Sequence, residues 1–509
     1  MGTSIERDRV IVVGAGFGGL SCALDLASRG VPVRVLERAP TAGGKARAVD
    51  VQGQPVAAGP TVMTMPWVFE ELFAQTGRDF REEVDLVPVQ RLARHYWSDG
   101  TQMDLFADRG RSIAAVREAF GSRAARDYEA FCRDNQRIYE MSELYFLRSQ
   151  RLTLPGIVKR FGFQGLLTVV RLDAYRTMWQ ALESKFQEPR LRQLYGRYST
   201  YVGSSPFEAP ATFNLIAHVE SDGVFRVDGG IRAVAAAMRK RAVDLGVELV
   251  HEATVDRIVI EGGRATGVLA QQQMHRGRAV LFNGDVSALP SLGAARAGSE
   301  TPRELRSLSS LSWAIVGRAS GVPLVHHNVF FGDDYRREFE QILREERAPD
   351  EPTIYVCAQD RGDDDEARGQ DRFLVIVNAP ATGDQPQRWG EAERTRCTNI
   401  MTERLQRLGL TIEMDAAVQT TPMEHHARFP HTGGALYGPR SKGPLSMLKR
   451  RGAKTKIPGL YLAGGSVHPG PGVPMAALSG RLAGEQMSAD LRLPVPSHPA
   501  AITGITSMG

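Results

Sequence analysis

One stretch constrains this chain more than any other. Val10-Ile11-Val12-Val13 is a short apolar run of β-branched residues and reads as a buried strand. Gly14-Ala15-Gly16-Phe17-Gly18-Gly19 follows at once, so Gly14, Gly16 and Gly19 spell G-x-G-x-x-G. Leu20, Ala23, Leu24 and Leu26 then fall at helical spacing, Gly30 ends that helix, and Val31 to Leu36 predicts a second strand. Glu37 stands at its end, 23 positions after the first glycine. Strand, glycine turn, helix, strand and acid in this register predict a dinucleotide-binding βαβ unit. Gly14 permits the tight turn, Gly16 lets the backbone approach a pyrophosphate, and Gly19 lets helix and strand pack closely. The free N–H groups at the helix start meet the phosphate charge. Glu37 can accept hydrogen bonds from a ribose hydroxyl.

Composition narrows what can surround that unit. At roughly 100–200 residues per domain, a chain of 509 predicts two to four domains, or two interleaved ones. It is long enough to bury a large core without disulfide or metal staples. Cys22, Cys132, Cys357 and Cys397 are far apart and form no CxxC pair, which argues against a disulfide scaffold or thiolate metal site and suits a reducing compartment. The charge balance, 63 − 58 = +5, is low for a protein that coats nucleic acid, so none is expected as a partner. Glu6, Arg7, Asp8 and Arg9 lead straight into the first strand, unlike a signal peptide. No window reaches the ~18–20 apolar residues a spanning helix requires. The expected state is soluble or peripheral.

The rest of the chain carries weaker signals. Gly59-Pro60-Thr61 predicts a turn, with an apolar helix after Pro66. Residues 112–150 predict amphipathic helices. The stretch 152–184 is apolar and aromatic, bracketed by Lys159, Arg160, Arg171 and Arg176, and suits either an interfacial membrane helix or a core helix with basic ends. Val224 to Gly230, Val247 to Val250, Val255 to Ile260, Ala265 to Leu269 and Ala279 to Phe282 predict strands returning to the nucleotide domain. Thr353 to Ala358 and Phe373 to Val377 predict two more, and the acidic run between them, Asp360 to Asp371, reads as a solvated loop. Leu460-Tyr461-Leu462 runs into Gly464-Gly465, a rigid proline loop and a helix from Ala476 to Asp490. That is a second helix start where backbone N–H groups could meet an anion or polarised ring. The doublets His326-His327 and His425-His426 lack partner spacing for a metal, so no metal is expected.

Glu37-Arg38 followed by Gly43-Gly44-Lys45 resembles the extended FAD motif of glutathione-reductase-like flavoproteins of the amine-oxidase and carotenoid-desaturase type. With the Gly59-Pro60-Thr61 turn and the C-terminal LYLAGGSVHPGPGVPMAALSG, nearly all of residues 9–490 resembles the phytoene-desaturase family of bacterial carotenoid dehydrogenases. Residues 58–73, 197–230 and 460–480 look closest to its hydroxyneurosporene (1-hydroxycarotenoid 3,4-) desaturase branch. The resemblance implies an α/β architecture: a Rossmann-type FAD-binding domain from 1–110, 215–300 and 430–509, interleaved with a mixed α+β substrate and membrane-facing domain from 111–214 and 301–429. It implies FAD held by Gly14, Gly16, Gly19, Glu37, Arg38, Gly43, Gly44 and Lys45, with Gly59, Pro60 and Thr61 beside it. Backbone at Val255 would face the adenine, and Gly464, Gly465, Val473, Pro474 and Met475 would lie by the flavin ring.

The implied reaction removes two hydrogens from C3 and C4 of an acyclic 1-hydroxycarotenoid, by hydride transfer to flavin and then proton loss, with a quinone or oxygen as final acceptor. Such a substrate implies a cytoplasmic protein held peripherally on the inner or intracytoplasmic membrane. No residue declares itself as the proton acceptor; Glu220, Asp222 and His468 are the ones to inspect. A phytoene or ζ-carotene desaturase, a carotenoid isomerase, an amine oxidase and a flavin-free escort protein of the GDP-dissociation-inhibitor type stay open as alternatives.

Overall fold

The computed structural model describes residues 8–150, 172–362, 369–496 and 498. Most of the basic-aromatic stretch (152–171) and the acids Asp363, Asp364, Asp365 and Glu366 lie outside them. Val10–Val13 is the middle of a five-stranded sheet in the order Leu460–Leu462, Ala279–Phe282, Val10–Val13, Val33–Leu36, Glu248–Val250. Every pairing is parallel, with Val10 opposite both Ala279 and Val33. Parallel strands need cover on both faces, which is why the central ones are almost wholly apolar. The helix Phe17–Ser28 and the closing helix Val473–Leu491 pack against each other. They approach so closely that a Cβ on Gly480 would lie 2.0 Å from the Gly18 carbonyl oxygen.

A second sheet of seven strands runs in the order Leu410–Thr420, Ser309–Gly321, Asp371–Ala379, Ile354–Ala358, His327–Phe330, Arg91–Tyr96, Gln102–Phe106. Its strands are antiparallel except for one parallel pair, Asn328–Phe330 with Arg94–Tyr96. Through that pair, two strands from before residue 110 join strands from beyond residue 300. One face is buried under the helix Glu391–Arg407, whose Cys397, Met401 and Leu405 share a core with Trp313, Phe330 and Phe373. The predicted helices of 112–150 are seen as two helices within Arg109–Ser142, the first capped by Asp108, separated at Gly121, whose backbone (φ 88°, ψ 171°) is not helical. A three-stranded antiparallel sheet, Val255–Glu261, Arg264–Ala270 and Gln273–Arg276, stands beside the parallel one.

Polar contacts tie the hairpin Ala48–Val51, Gln54–Ala57 and the turn after it to the seven-stranded sheet. The Gln359 side chain accepts from the Ala57 N–H at 3.0 Å and donates to its carbonyl at 2.7 Å. The Thr61 and Tyr355 hydroxyls share a hydrogen bond at 2.8 Å. The solvated-loop expectation fails at one end of the acidic run. Asp371 is buried and takes two hydrogen bonds from Arg361, because it lies where the strand Asp371–Ala379 enters the core. Among the described residues, no helix is long and apolar enough to cross a membrane.

Candidate cofactor site

The expected nucleotide residues converge where the first strand turns into the first helix. A Cβ on Gly19 would sit 2.0 Å from the Gly14 carbonyl oxygen, so only glycine lets the turn close there. Gly44, with φ +60°, faces Gly16 so tightly that its Cβ would lie 3.2 Å from the Gly16 Cα. The Gly43 N–H donates to the Ala15 carbonyl at 2.9 Å, fixing the two glycine loops face to face. Glu37 is buried; its carboxylate accepts from the Ala15 N–H at 2.6 Å and the Ala39 N–H at 2.8 Å. A carboxylate has about four lone-pair positions, so it retains capacity for a ribose hydroxyl. Arg38 is exposed and donates to the Ala427 carbonyl at 2.8 Å.

Lys45 donates from Nζ to the Leu436 carbonyl and lies 5.2 Å from the Phe429 ring centre; burial lowers its pKa, against the opposing pull of Asp285. Gly59 packs onto this loop, since its Cβ would lie 2.2 Å from the Lys45 carbonyl oxygen, and Pro60 and Thr61 follow it. Val255 opens the antiparallel sheet just past a segment laced to Glu37: the Glu37 N–H donates to Val250 and the Ala253 N–H to Glu37. Gly464 and the start of the closing helix meet the start of the first, for a Cβ on Gly18 would touch the Gly464 nitrogen at 2.9 Å and the Ala476 oxygen at 3.0 Å. Val473 and Pro474 are buried there, and Met475 and Gly465 half-buried. Neither helix start has a side-chain cap, so backbone N–H groups remain for a ligand.

This arrangement fits FAD. It offers two facing loops that any Cβ would obstruct, an acid at the ribose position, and two converging uncapped helix starts, one suited to a pyrophosphate and the other to a polarised ring.

Two supporting residues escaped the sequence reading. Asn283, which directly follows the strand Ala279–Phe282, donates from Nδ2 to the Gly14 carbonyl at 3.1 Å. The visible signal was its place at the end of a parallel strand, where topology brings it beside the glycine turn. Arg450 is buried and donates to the carbonyls of Tyr437, Pro439 and Gly465 at 3.1–3.2 Å; burial pulls its pKa down to about 10 against the influence of Asp285. No motif marked it.

Arg197, Tyr201, Glu220, Tyr355 and Tyr437 form a further polar set, each of them half-buried. Arg197 donates to the Tyr201 hydroxyl at 3.1 Å and lies 5.4 Å from the ring centres of both Tyr201 and Tyr355. Tyr198 donates to the Glu220 carboxylate. Burial pushes Glu220 up, opposed by the Tyr198 hydrogen bond and Arg197. Of the other two acids and bases singled out, Asp222 is exposed, and His468 is buried with Nε2 2.9 Å from the Ser149 carbonyl oxygen.

The histidine doublets have partners that spacing did not reveal. His326, His327 and Cys357 bring three possible ligand atoms within 4.8 Å of one another, because the sheet sets His327 opposite Cys357. Each already has a protein partner: His326 has the Arg361 carbonyl at 2.9 Å, His327 the Tyr355 hydroxyl at 2.7 Å, and Cys357 the His326 ring at 3.6 Å. Burial pushes the Cys357 thiol up to about 12, so it keeps its proton. A protonated thiol is a poor metal ligand. His425 and His426 contact Ser310 Oγ and the Gly433 N–H, both at 3.1 Å.

A family model for flavin containing amine oxidoreductase matches residues 17–488. A hydroxyneurosporene desaturase of Rubrivivax gelatinosus is 44% identical over 99% of this chain and 98% of its own. A 1-hydroxycarotenoid 3,4-desaturase of Flavobacterium sp. is 28% identical over 93% of this chain and 98% of its own. Among solved structures, a putrescine oxidase triple mutant redesigned in its cofactor binding superposes with a TM-score of 0.59, at 15% identity, covering 96% of this chain and 99% of that one. Glycine loops, acid and paired helix starts thus sit in a chain that belongs to the flavin containing amine oxidoreductase family, as an FAD-dependent oxidoreductase akin to the carotenoid desaturases.

Proposed function

We propose that this enzyme removes two hydrogens across C3 and C4 of acyclic 1-hydroxycarotenoids such as 1-hydroxyneurosporene, as a step of carotenoid biosynthesis. The observation that carries the reading is the 44% identity, end to end, with a hydroxyneurosporene desaturase.

In this reading Gly14, Gly16, Gly19, Gly43 and Gly44 admit the pyrophosphate, Glu37 holds the ribose, and backbone near Val255 faces the adenine. Arg38 and Lys45 border the nucleotide, and the Gly59-Pro60-Thr61 turn lines its edge. Gly464, Gly465, Val473, Pro474 and Met475 back the ring. FAD supplies, when bound, an acceptor for a hydride from carbon. The chain orients C3 and C4 and keeps the site dry, while the adjoining polyene stabilises the cation left by hydride loss. The proton is then taken by water or a residue of the chain, of which Glu220 is a half-buried candidate with a raised pKa. The electrons pass on to a quinone or oxygen. The sequence segments 1–110, 215–300 and 430–509 act as the FAD domain, save that Arg91–Tyr96 and Gln102–Phe106 join the seven-stranded sheet, and 111–214 with 301–429 act as the substrate domain.

A polyene of this length resides in the bilayer, so the enzyme docks peripherally on the inner or intracytoplasmic membrane, with the basic-aromatic stretch that begins at 152 as its contact, short of the helix Met178–Lys185, whose Met178 and Leu182 lie in the core. Undiminished liposome binding after removal of the basic charges at Lys159, Arg160, Arg171 and Arg176 would rule that contact out.

The deciding experiment uses liposomes with purified enzyme, FAD and a quinone, loaded in parallel with 1-hydroxyneurosporene, neurosporene or phytoene. A red-shifted spectrum and a mass lower by two hydrogens with the hydroxylated substrate alone supports the proposal. Conversion of phytoene would instead make it a general desaturase. Inertness toward all three would reopen the amine-oxidase and escort alternatives.

A further inference from the structure

The proposed substrate differs from its unhydroxylated analogue by a single oxygen on C1. Ordinary bond lengths put that oxygen within about 4 Å of C3. Hydride transfer brings the reacting carbon to about 3–3.5 Å from its acceptor. Whatever reads the hydroxyl therefore stands at the edge of the cofactor. This inference rests on the 3,4-desaturase reading and asks which residue makes that reading specific.

Few polar side chains meet the condition. The Gly59-Pro60 turn sits on Lys45 and Ala46 of the glycine cradle, and Thr61 is the next residue, half-buried. Its neighbours Val62 and Met63 pack into apolar clusters. The Thr61 hydroxyl shares a hydrogen bond with the Tyr355 hydroxyl at 2.8 Å, and that hydroxyl is 2.7 Å from His327 Nδ1. The chain of contacts thus crosses from the seven-stranded sheet to the cofactor turn. Arg197 lies 5.4 Å from the Tyr355 ring centre and helps hold the ring in place.

Proton accounting shows what such a chain leaves open. Burial holds His327 well below its ordinary pKa, so its ring is neutral and carries one N–H. If Nδ1 lacks the proton, Tyr355 donates to His327 and Thr61 donates to Tyr355, which leaves the Thr61 oxygen able to accept. If Nδ1 carries it, His327 donates to Tyr355 and Tyr355 to Thr61, which leaves the Thr61 O–H able to donate. A tertiary alcohol can both donate and accept, so it completes the chain in either polarity. A hydrocarbon end completes neither and leaves Thr61 with Tyr355 alone, one of its hydrogen-bonding positions unfilled.

We propose that Thr61 binds the C1 hydroxyl of the substrate, and that Tyr355 and His327 are positioning residues that fix and polarise Thr61. The chain makes the enzyme selective because a site built to pair a hydroxyl penalises the analogue that lacks it.

The test reads binding as well as turnover. FAD-loaded enzyme is reduced with dithionite, so that bound polyene cannot react, and is titrated with 1-hydroxyneurosporene and with neurosporene in lipid–detergent micelles. Quenching of protein fluorescence reports each Kd. Wild type is expected to favour the hydroxylated polyene by about 5- to 100-fold. Thr61→Val and Tyr355→Phe should each bring that ratio to within about twofold of unity, and Thr61→Ser should restore it. The kcat/KM ratio of the oxidised enzymes should move in parallel. A ratio unchanged in Thr61→Val overturns the proposal even if Tyr355→Phe fails to fold. A wild type selective for the hydroxylated polyene whose variants stay selective overturns only this inference. A wild type that converts phytoene, or shows no selectivity, overturns the 3,4-desaturase reading and this proposal together.

Discussion

The parallel-sheet half and the seven-stranded half handle buried polarity in opposite ways. At the glycine turn of the parallel sheet, main-chain groups do most of it, although Asp25 on the same helix is buried against Arg29. Gly43 N–H meets Ala15 carbonyl, and Glu37 is held by the amides of Ala15 and Ala39. Glycines there remove side chains so that backbone can reach a ligand. The seven-stranded half instead hides charged and phenolic side chains and pairs them with each other: Arg361 with Asp371, Glu338 with Thr353, and Thr61 with Tyr355 and His327. Main-chain recognition demands small residues at fixed spacing. Side-chain pairing demands only that two residues meet, at any separation along the chain.

Four substitutions test that contrast. The largest effect falls on the glycine turn. Gly19→Val would drive its side chain into the Gly14 carbonyl 2.0 Å away, so the variant should purify without flavin absorbance, whatever else survives. A variant that retains stoichiometric FAD would show that the turn tolerates bulk and would break the contrast.

Next comes the buried ion pair. Arg361→Met leaves Asp371, 2% exposed, without its two hydrogen bonds. Unfolding by urea should show a loss of about 3–5 kcal/mol. Replacing both partners with apolar residues should recover much of it.

The third test uses pH. Burial pushes the Glu338 carboxyl up to about 7, against the lowering influence of its bonds to Thr353. Below its ordinary value of 4.5 the group is protonated in both folded and unfolded chains and has no effect. Between that value and about 7 the unfolded chain ionises first, so stability falls as pH rises. Glu338→Gln does not titrate. It should match wild type at pH 4 and exceed it above pH 8 by about 3 kcal/mol, read as a difference between two denaturation series. A variant equally unstable at both pH values would show that Glu338 is held ionised.

The smallest effect belongs to Glu261 and Arg276, an exposed pair at 2.9 Å on the antiparallel sheet. Solvent and salt screen such a pair, so Glu261→Gln should leave Tm unchanged within error. A clear drop would mean that surface pairing, as well as buried pairing, stabilises this protein.

The halves also differ in how much of each could be read beforehand. The βαβ opening, its acid, the glycine doublet and the strand-to-helix turn at the C-terminus were legible because a pyrophosphate imposes residue type and spacing over a short run. Asn283 was not, for an asparagine after a strand has many uses, and only the parallel pairing with Val10–Val13 brings it to Gly14. Arg450 joins three carbonyls from two loops, and no local pattern announces that. Asp371 was read as solvated because its neighbours are acidic. The strand it begins carries it into the core, where Arg361 meets it. His327 was read by searching for spaced ligands along the chain, while its real neighbours, Tyr355 and Cys357, are supplied across the sheet.

Sequence alone therefore determined the dinucleotide-binding βαβ unit, since close approach of backbone to phosphate leaves few residue choices and all of them lie within some thirty positions of one another, while the flavin followed from the resemblance of Glu37-Arg38 and Gly43-Gly44-Lys45 to a family motif. Only the tertiary structure decided that strands from either side of the parallel sheet's segments would form one seven-stranded sheet. It also decided that Thr61, His327 and Tyr355 would become one hydrogen-bonded chain. The physical reason is the range of the constraint. A glycine turn is dictated by its own φ and by a ligand that touches consecutive residues, whereas a buried hydroxyl is satisfied by whichever partner the fold delivers, from hundreds of residues away.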